Sequence, residues 1–287
     1  RREQRPRPGL DDKVLTDWNG LMIAALAKAA RVFSDETFEE AASKAAHFVL
    51  DTLRTDDGKL LHRYRNGDAA IRAHLDDYAF LVWGLIELYE TTFDARWLGE
   101  ALCLTEEMID HFWDDERGGF FLSADDGEPL IVRQKDMQDA AIPAGNSIAL
   151  LNLIRLARLT GRTEYEDRAD ALARFAAPQV RQQPSVFTGL LLGFHLAAGE
   201  SREVVIAGDP ESSDTQALIK AVRSVYAPET VVLHRPEGDD PLIATYAPFV
   251  EPHRPQNGAA AAYICEAFQC QAPTTDPETV IGALKGK

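Results

Sequence analysis

Three short stretches concentrate the residues able to do chemistry. The first, Asp11 to Gly20, carries Asp12, Trp18 and Asn19; the second, Arg72 to Tyr78, carries His74, Asp76, Asp77 and Tyr78. The third, Arg133 to Ser147, carries Arg133, Lys135, Asp139 and Asn146. Carboxylates beside an imidazole supply general acids and bases, and neighbouring carboxyl groups in different surroundings divide those roles between them. Aromatic faces pack on pyranose rings, while amides and charged groups hydrogen-bond hydroxyls. The pattern fits a small sugar or sugar derivative as ligand and needs no cofactor. Asp12, His74, Asp76, Asp77 and Asp139 are the candidate catalytic residues, and Trp18, Asn19, Tyr78, Arg133, Lys135 and Asn146 the candidate substrate-binding residues. A competing reading makes Asp12, Asp76 and Asp139 helix caps, since acidic residues accept from free N–H groups at helix N-termini. Arg133, Lys135 and Asp136 would then form a rim ion-pair network.

Among the histidines, His74 has the best claim to proton transfer because Asp76 and Asp77 follow it. His195 lies in an apolar helix and reads as structural. His62, His111, His234 and His253 show no metal-ligand spacing, so no metal site is expected. Cys265 and Cys270, with four residues between them, match neither a CxxC pair nor half a zinc site and read as packing thiols. Val204 to Asp209 carries a lone Gly208 and is read as a structural βα turn, without a nucleotide fingerprint.

The elements that must position these groups recur along the chain. Three nearly all-apolar helices are predicted over Trp18 to Phe33, Asp77 to Phe93 and Asn146 to Thr160. Each precedes a helix with one apolar stripe: Thr37 to Leu53, Ala95 to Phe112 and Thr163 to Ala177. A helix apolar all round must be covered on every side, so the alternation predicts an inner layer wrapped by an outer one, a partial α/α toroid. Short β-hairpins are expected at Asp56 to Tyr64 and Asp114 to Leu122, and a fourth apolar helix at Ser185 to Ala198. In a toroid the three polar stretches converge at one end of the barrel.

From Ser201 the pattern changes to strand (Glu203 to Gly208), helix (Asp214 to Tyr226), strand (Thr230 to His234) and, after a proline-rich loop, a further strand near Ala259 to Cys265. Two units are therefore expected: toroid hairpins over 1–200 and a small α/β module over 201–287. The fold class is mainly α.

Composition excludes several classes. In 287 residues, 30 Lys and Arg face 46 Asp and Glu, a formal charge of −16, which disfavours nucleic acid and anionic membrane surfaces as partners. No apolar run reaches the roughly 20 residues that span a bilayer. Three cysteines rule out a disulfide scaffold and point to a reducing compartment, the cytoplasm. The opening Arg-Arg-Glu-Gln shows no signal pattern and reads as a piece of a longer polypeptide.

Four motifs carry a resemblance: Asp11 to Leu21, His74 to Ala79, Asp139 through Pro143 to Ser147, and Tyr263 to Glu266 with Cys270 to Pro273. In this order and over essentially the whole chain, they resemble the C-terminal half of the YyaL-like, spermatogenesis-associated thioredoxin-domain proteins. Ala140 and Ala144 stand where Gly and Ser are expected. The resemblance implies an (α/α)6 toroid similar to six-hairpin glycosidases and N-acylglucosamine 2-epimerases. As partners it implies an N-terminal thioredoxin-like domain and further toroid hairpins outside this chain. Sugar epimerisation or isomerisation is the first expectation. A six-hairpin glycoside hydrolase, or a non-catalytic scaffold with a redox or protein-quality role, are the alternatives. An incomplete ring would also bare the flank of the Trp18 to Phe33 helix and promote self-association.

Overall fold

The structure, a computed structural model, describes residues 4–6, 9–199, 201–238, 241–266 and 269–285. In chain order the helical part comprises β1 (Val14–Leu15), α1 (Thr16–Phe33), α2 (Glu36–Thr52), β2 (Leu61–Arg65), β3 (Asp68–Arg72), α3 (Leu75–Thr92) and α4 (Ala95–Phe112). It continues with α5 (Gly145–Thr160), α6 (Thr163–Gln182) and α7 (Thr188–Ala198). α1, α3, α5 and α7 pack side by side as an inner row, while α2, α4 and α6 each cover the inner helix before it.

The layering follows from side-chain distribution. α3 buries nearly every residue from Leu75 to Thr91 and α5 every residue from Asn152 to Thr160, whereas α2 buries only Ala42, Ala46 and Val49. α1 and α3 approach with almost nothing between their backbones. A Cβ on Gly20 would stand 2.4 Å from the Phe80 carbonyl carbon, so only glycine fits there. The outer helices α2 and α4 start on Asp35 and Asp94, whose carboxylates accept from the Thr37 and Arg96 N–H groups.

β1, β2 and β3 form a small antiparallel sheet over the N-terminal ends of the inner helices, with Val14 opposite Tyr64 and Leu61 opposite Arg72. Within the expected stretch Asp56 to Tyr64 there is a tight turn closed by a single antiparallel bridge from Arg54 to Leu60, but the regular hairpin lies further on. The β2–β3 hairpin turns at Asn66-Gly67, both at positive φ (52° and 82°), the backbone a two-residue turn between twisted strands demands. Between Asp114 and Leu122 there is no regular hairpin, only a single bridge from Trp113 to Phe120.

The remaining elements are β4 (Arg202–Ala207), α8 (Ser213–Arg223), β5 (Thr230–Arg235), α9 (Leu242–Tyr246), β6 (Ala261–Glu266), β7 (Gln269–Cys270) and α10 (Pro277–Lys285). The sheet order is β5-β4-β6-β7, with β4 and β5 parallel and β6 antiparallel to β4. Alternate residues divide its faces. Val205, Val231 and Leu233 join the helical core, while Val204, Ile206, Ala262 and Ile264 pack with Leu218 and Ile219 of α8 and Val280 and Leu284 of α10.

Cys265 and Cys270 are joined in a disulfide. The expectation of two packing thiols is therefore corrected: β6 and β7 run antiparallel with Cys265 directly opposite Cys270, a register that their spacing in sequence does not announce. Among the described residues no helix is long and apolar enough to cross a membrane.

Candidate functional site

The N-terminal ends of α1 and α3, together with β2, bring Asp17, Trp18, His62, His74, Asp76 and Asp77 together. Asp77, in the first turn of α3 and fully buried, is the hub. Its carboxylate accepts from the Asp17 N–H (3.0 Å) and the His74 N–H (2.8 Å), and both of its oxygens lie 3.0 Å from His62 Nδ1. Burial alone would raise the Asp77 pKa, but hydrogen bonds from His62 and His74 outweigh it and hold the group below the usual carboxylate range. Reciprocally, the hydrogen bond to Asp77 raises His62 above its ordinary 6.5.

Asp76 meets the opposite fate. Burial, then the charges of Asp77, Asp136 and Asp17, push its pKa up to about 6. Its Oδ1 makes no hydrogen bond of ordinary geometry, and the nearby Gly145 N–H eases its charge only slightly. A Cβ on Gly145 would come within 2.3 Å of that oxygen. Asp17 is likewise raised, by burial and then by the Asp77 charge. Two adjacent carboxyl groups thus differ: one firmly ionised, one able to hold a proton near neutrality.

The His62 and His74 rings stand edge to face with centroids 5.4 Å apart, and His62 Nε2 has no partner among the described residues. Trp18 presents its ring to solvent at 61% exposure, on the turn that carries Asp17. Asn19 donates to the Leu15 carbonyl (2.7 Å).

Other candidates serve the fold. Asp12 forms an exposed ion pair with Arg65 (2.6 Å). Tyr78 is buried against Phe112, its hydroxyl accepting from the Leu60 N–H at 3.1 Å, and burial pushes its pKa up to about 12. Asp139 ties α5 to α7: Oδ1 accepts from the Ala144 N–H (3.0 Å) and Ser147 Oγ (2.8 Å), Oδ2 from the Gly189 N–H (2.6 Å). Asn146 bonds both the N–H and the carbonyl of Phe120 and donates to the Asp136 carbonyl. Arg133 donates to the Ser123 and His111 carbonyls. Lys135 pairs with Asp114 (2.7 Å) and donates to the Gly118 carbonyl. These four residues fasten the long loop between α4 and α5.

Two members of the cluster escaped the sequence reading. Asp17 borders Trp18 in the first turn of α1, where an acid is an ordinary helix-start residue. His62 is fifteen positions from Asp77 and reaches it only because the hairpin folds back over α3.

A second polar centre lies towards the C-terminal ends of the inner helices. Glu87 contacts Arg31, Arg155 (2.6 Å), Lys28 (3.2 Å) and the Trp83 indole N–H (3.0 Å), and Glu90 pairs with Arg31 (2.8 Å) and Arg155 (2.9 Å). Burial would raise Glu87, but Arg155, Arg31 and Lys28 hold it well below the ordinary range. A cavity of about 600 Å³ adjoins this network and is closed on one side by α8 and the segment leading to β5.

Comparison with known proteins bears out the family resemblance. Over 286 residues the chain is 33% identical to spermatogenesis-associated protein 20 of Homo sapiens, an alignment covering 96% of the chain and 36% of that protein. It is 30% identical over 282 residues to an uncharacterized protein of Caenorhabditis elegans, covering 95% of the chain and 38% of the relative. The chain thus spans little more than a third of these relatives. No family model matches it. Among solved structures, a GH76 alpha-mannanase of Bacteroides thetaiotaomicron aligns with TM-score 0.50 and 16% identity, over 60% of this chain and 47% of that one. A cellobiose 2-epimerase of Bacillus thermoamylovorans aligns with TM-score 0.48 and 16% identity, over 56% and 44%. The fold is that of an α/α toroid, of which this chain holds a part.

Proposed function

We propose that this chain, similar over nearly all its length to part of the spermatogenesis-associated proteins, carries an acid/base site for a small sugar or sugar derivative and acts as an epimerase or isomerase. The carrying observation is the grip of Asp77 on His62. A buried carboxylate that fixes Nδ1 orients the imidazole and leaves Nε2 as the proton-transferring atom. Asp77 is then a positioning residue, because its oxygens already accept from Asp17, His74 and His62.

Epimerisation beside a carbonyl needs a base to take the carbon-bound proton and an acid to return one to the opposite face. His62 and His74, two imidazoles 5.4 Å apart, suit that exchange. Returning the proton to the neighbouring carbon would give isomerisation instead. Asp76, with a pKa near 6, can lend and recover a proton at the carbonyl or a hydroxyl oxygen. The exposed Trp18 ring offers a stacking face. A two-carboxylate hydrolase is less well served, since Asp77 has no oxygen left to attack carbon or activate water.

The test is incubation of the whole chain with reducing mono- and disaccharides in D2O, followed by NMR. New epimer signals with deuterium at the carbon next to the carbonyl, lost in His62→Asn, support the proposal. Cleavage of a glycoside without deuterium uptake would favour the hydrolase. If no sugar reacts or shifts a resonance, the scaffold reading takes over.

A further inference from the structure

We propose that His253, Cys265 and Cys270 form a redox-gated metal site: a disulfide when oxidised and, once a dithiol reduces it, a Cys2His ligand set for a soft divalent cation such as Zn2+. The site lies in the strand module and is independent of the sugar reading.

The argument begins with the register. β6 and β7 place Cys265 opposite Cys270, so both sulfurs stay together whether or not they are bonded to each other. A structural disulfide needs nothing more, yet His253 is packed against it. His253 Nε2 lies 3.6 Å from Cys270 Sγ, and the three prospective ligand atoms all lie within 4.8 Å of one another. Two thiolates and an imidazole are the ligands that zinc-type cations favour.

The imidazole is also oriented as a ligand would be. His253 is buried, with Nδ1 facing the Val250 carbonyl at 3.3 Å, so that Nε2 points at the sulfurs. A backbone partner on the remote nitrogen is the usual device for fixing a metal-bound histidine. The Tyr263 ring meets it edge to face at 4.4 Å, and the Tyr263 hydroxyl bonds the backbone of Arg254, holding the loop in place. Cys265 is buried while Cys270 is exposed, so the pair can be reached from one side only.

Among the described residues two other groups have ligand-like proximity. His62, His74 and Asp77 belong to the acid/base site, and His111, Asp125 and Asp126 sit on the surface, where Lys59 and Arg72 already hold Asp126. Only the third combines sulfur ligands with a buried, oriented imidazole.

The chemistry balances. A small dithiol delivers two electrons and two protons, the Cys265–Cys270 bond breaks to give two thiols, and the reductant leaves as its own disulfide. Binding of the divalent ion then releases both thiol protons to solvent, and the two thiolate charges neutralise the cation.

The test uses Co2+ as a spectroscopic probe on the whole chain, before and after reduction. The reduced protein should bind one equivalent with a thiolate-to-cobalt charge-transfer band that Zn2+ abolishes, and the oxidised protein should show no such band. His253→Ala should weaken binding at least about 10-fold, and Cys270→Ser should cut the band to about half per bound metal. His253→Gln, checked for native circular dichroism, guards against a folding defect, and His62→Asn should leave the band unchanged. Absence of the band in reduced protein, its persistence in oxidised protein, or unchanged affinity in both folded His253 variants would overturn the proposal.

Discussion

His62 Nδ1 stands 3.0 Å from both carboxylate oxygens of Asp77, and this contact couples the strand hairpin to the first turn of α3. His62 has its pKa raised above 6.5, so its share of stability is present below 6.5 and lost as pH rises through the raised value. Asp77 has its pKa lowered below 3.8, so its share is present above 3.8 and lost as pH falls through the lowered value. The contribution of this pair to thermal stability should therefore plateau between these limits, on top of the Asp76 decline. In His62→Asn the alkaline decline should vanish, as melting curves across pH would register.

Asp77→Asn should cost about 3 kcal/mol, because it removes one partner of a buried charged pair and weakens the acceptor for two backbone N–H groups. The His62 imidazole should then titrate lower, which a proton NMR titration would reveal. An unchanged His62 pKa would refute the coupling.

Asp76 should behave in the opposite sense. Its folded pKa is about 6 against an ordinary 3.8, so the fold loses stability as pH rises from about 4 to 6 and the buried group ionises. Asp76→Asn should therefore stabilise the protein at pH 7, by up to about 2 kcal/mol, while abolishing sugar turnover. Loss of stability together with intact turnover would contradict both readings.

Glu87→Gln removes the charge that Arg31, Arg155 and Lys28 share. Denaturant unfolding should show a loss of about 3 kcal/mol, since Arg31 and Arg155 would share Glu90 as their one remaining buried counter-charge among the described residues.

Gly20→Ala should be destabilising by roughly 1 to 3 kcal/mol despite its better helix propensity, because the new methyl meets the Phe80 backbone rather than a movable side chain. A rise in melting temperature would show that α1 and α3 can separate at little cost.

Trp18 and Met22 share one flank of α1, Val32 and Phe33 lie exposed near its end, and Leu191 and Leu192 are exposed on α7. These two helices stand at opposite ends of the inner row. Light scattering should find concentration-dependent association, which Trp18→Ser with Met22→Ser would reduce.

The layering was legible because α3 and α5 are apolar all round and their outer partners are not. The paired carboxylates and His74 were legible because they stand side by side at one helix start. The rest depended on long-range geometry. Asp139 ties the starts of α5 and α7 together, and no local pattern tells that from catalysis. His62 reads as an unremarkable strand residue until the Asn66-Gly67 turn folds its hairpin across α3. Cys265 and Cys270 become partners through strand register, and His253 joins them through a loop that no spacing rule describes.

Val205, Val231 and Leu233 sit in the same apolar core as the inner helices, although they come from the far end of the chain. The strand module is thus a stopper for the helical arc rather than an appendage to it. Cutting the chain near position 200 would not yield two durable pieces, since each would expose the face that the other now covers. Thermal unfolding should accordingly carry both parts through one cooperative step.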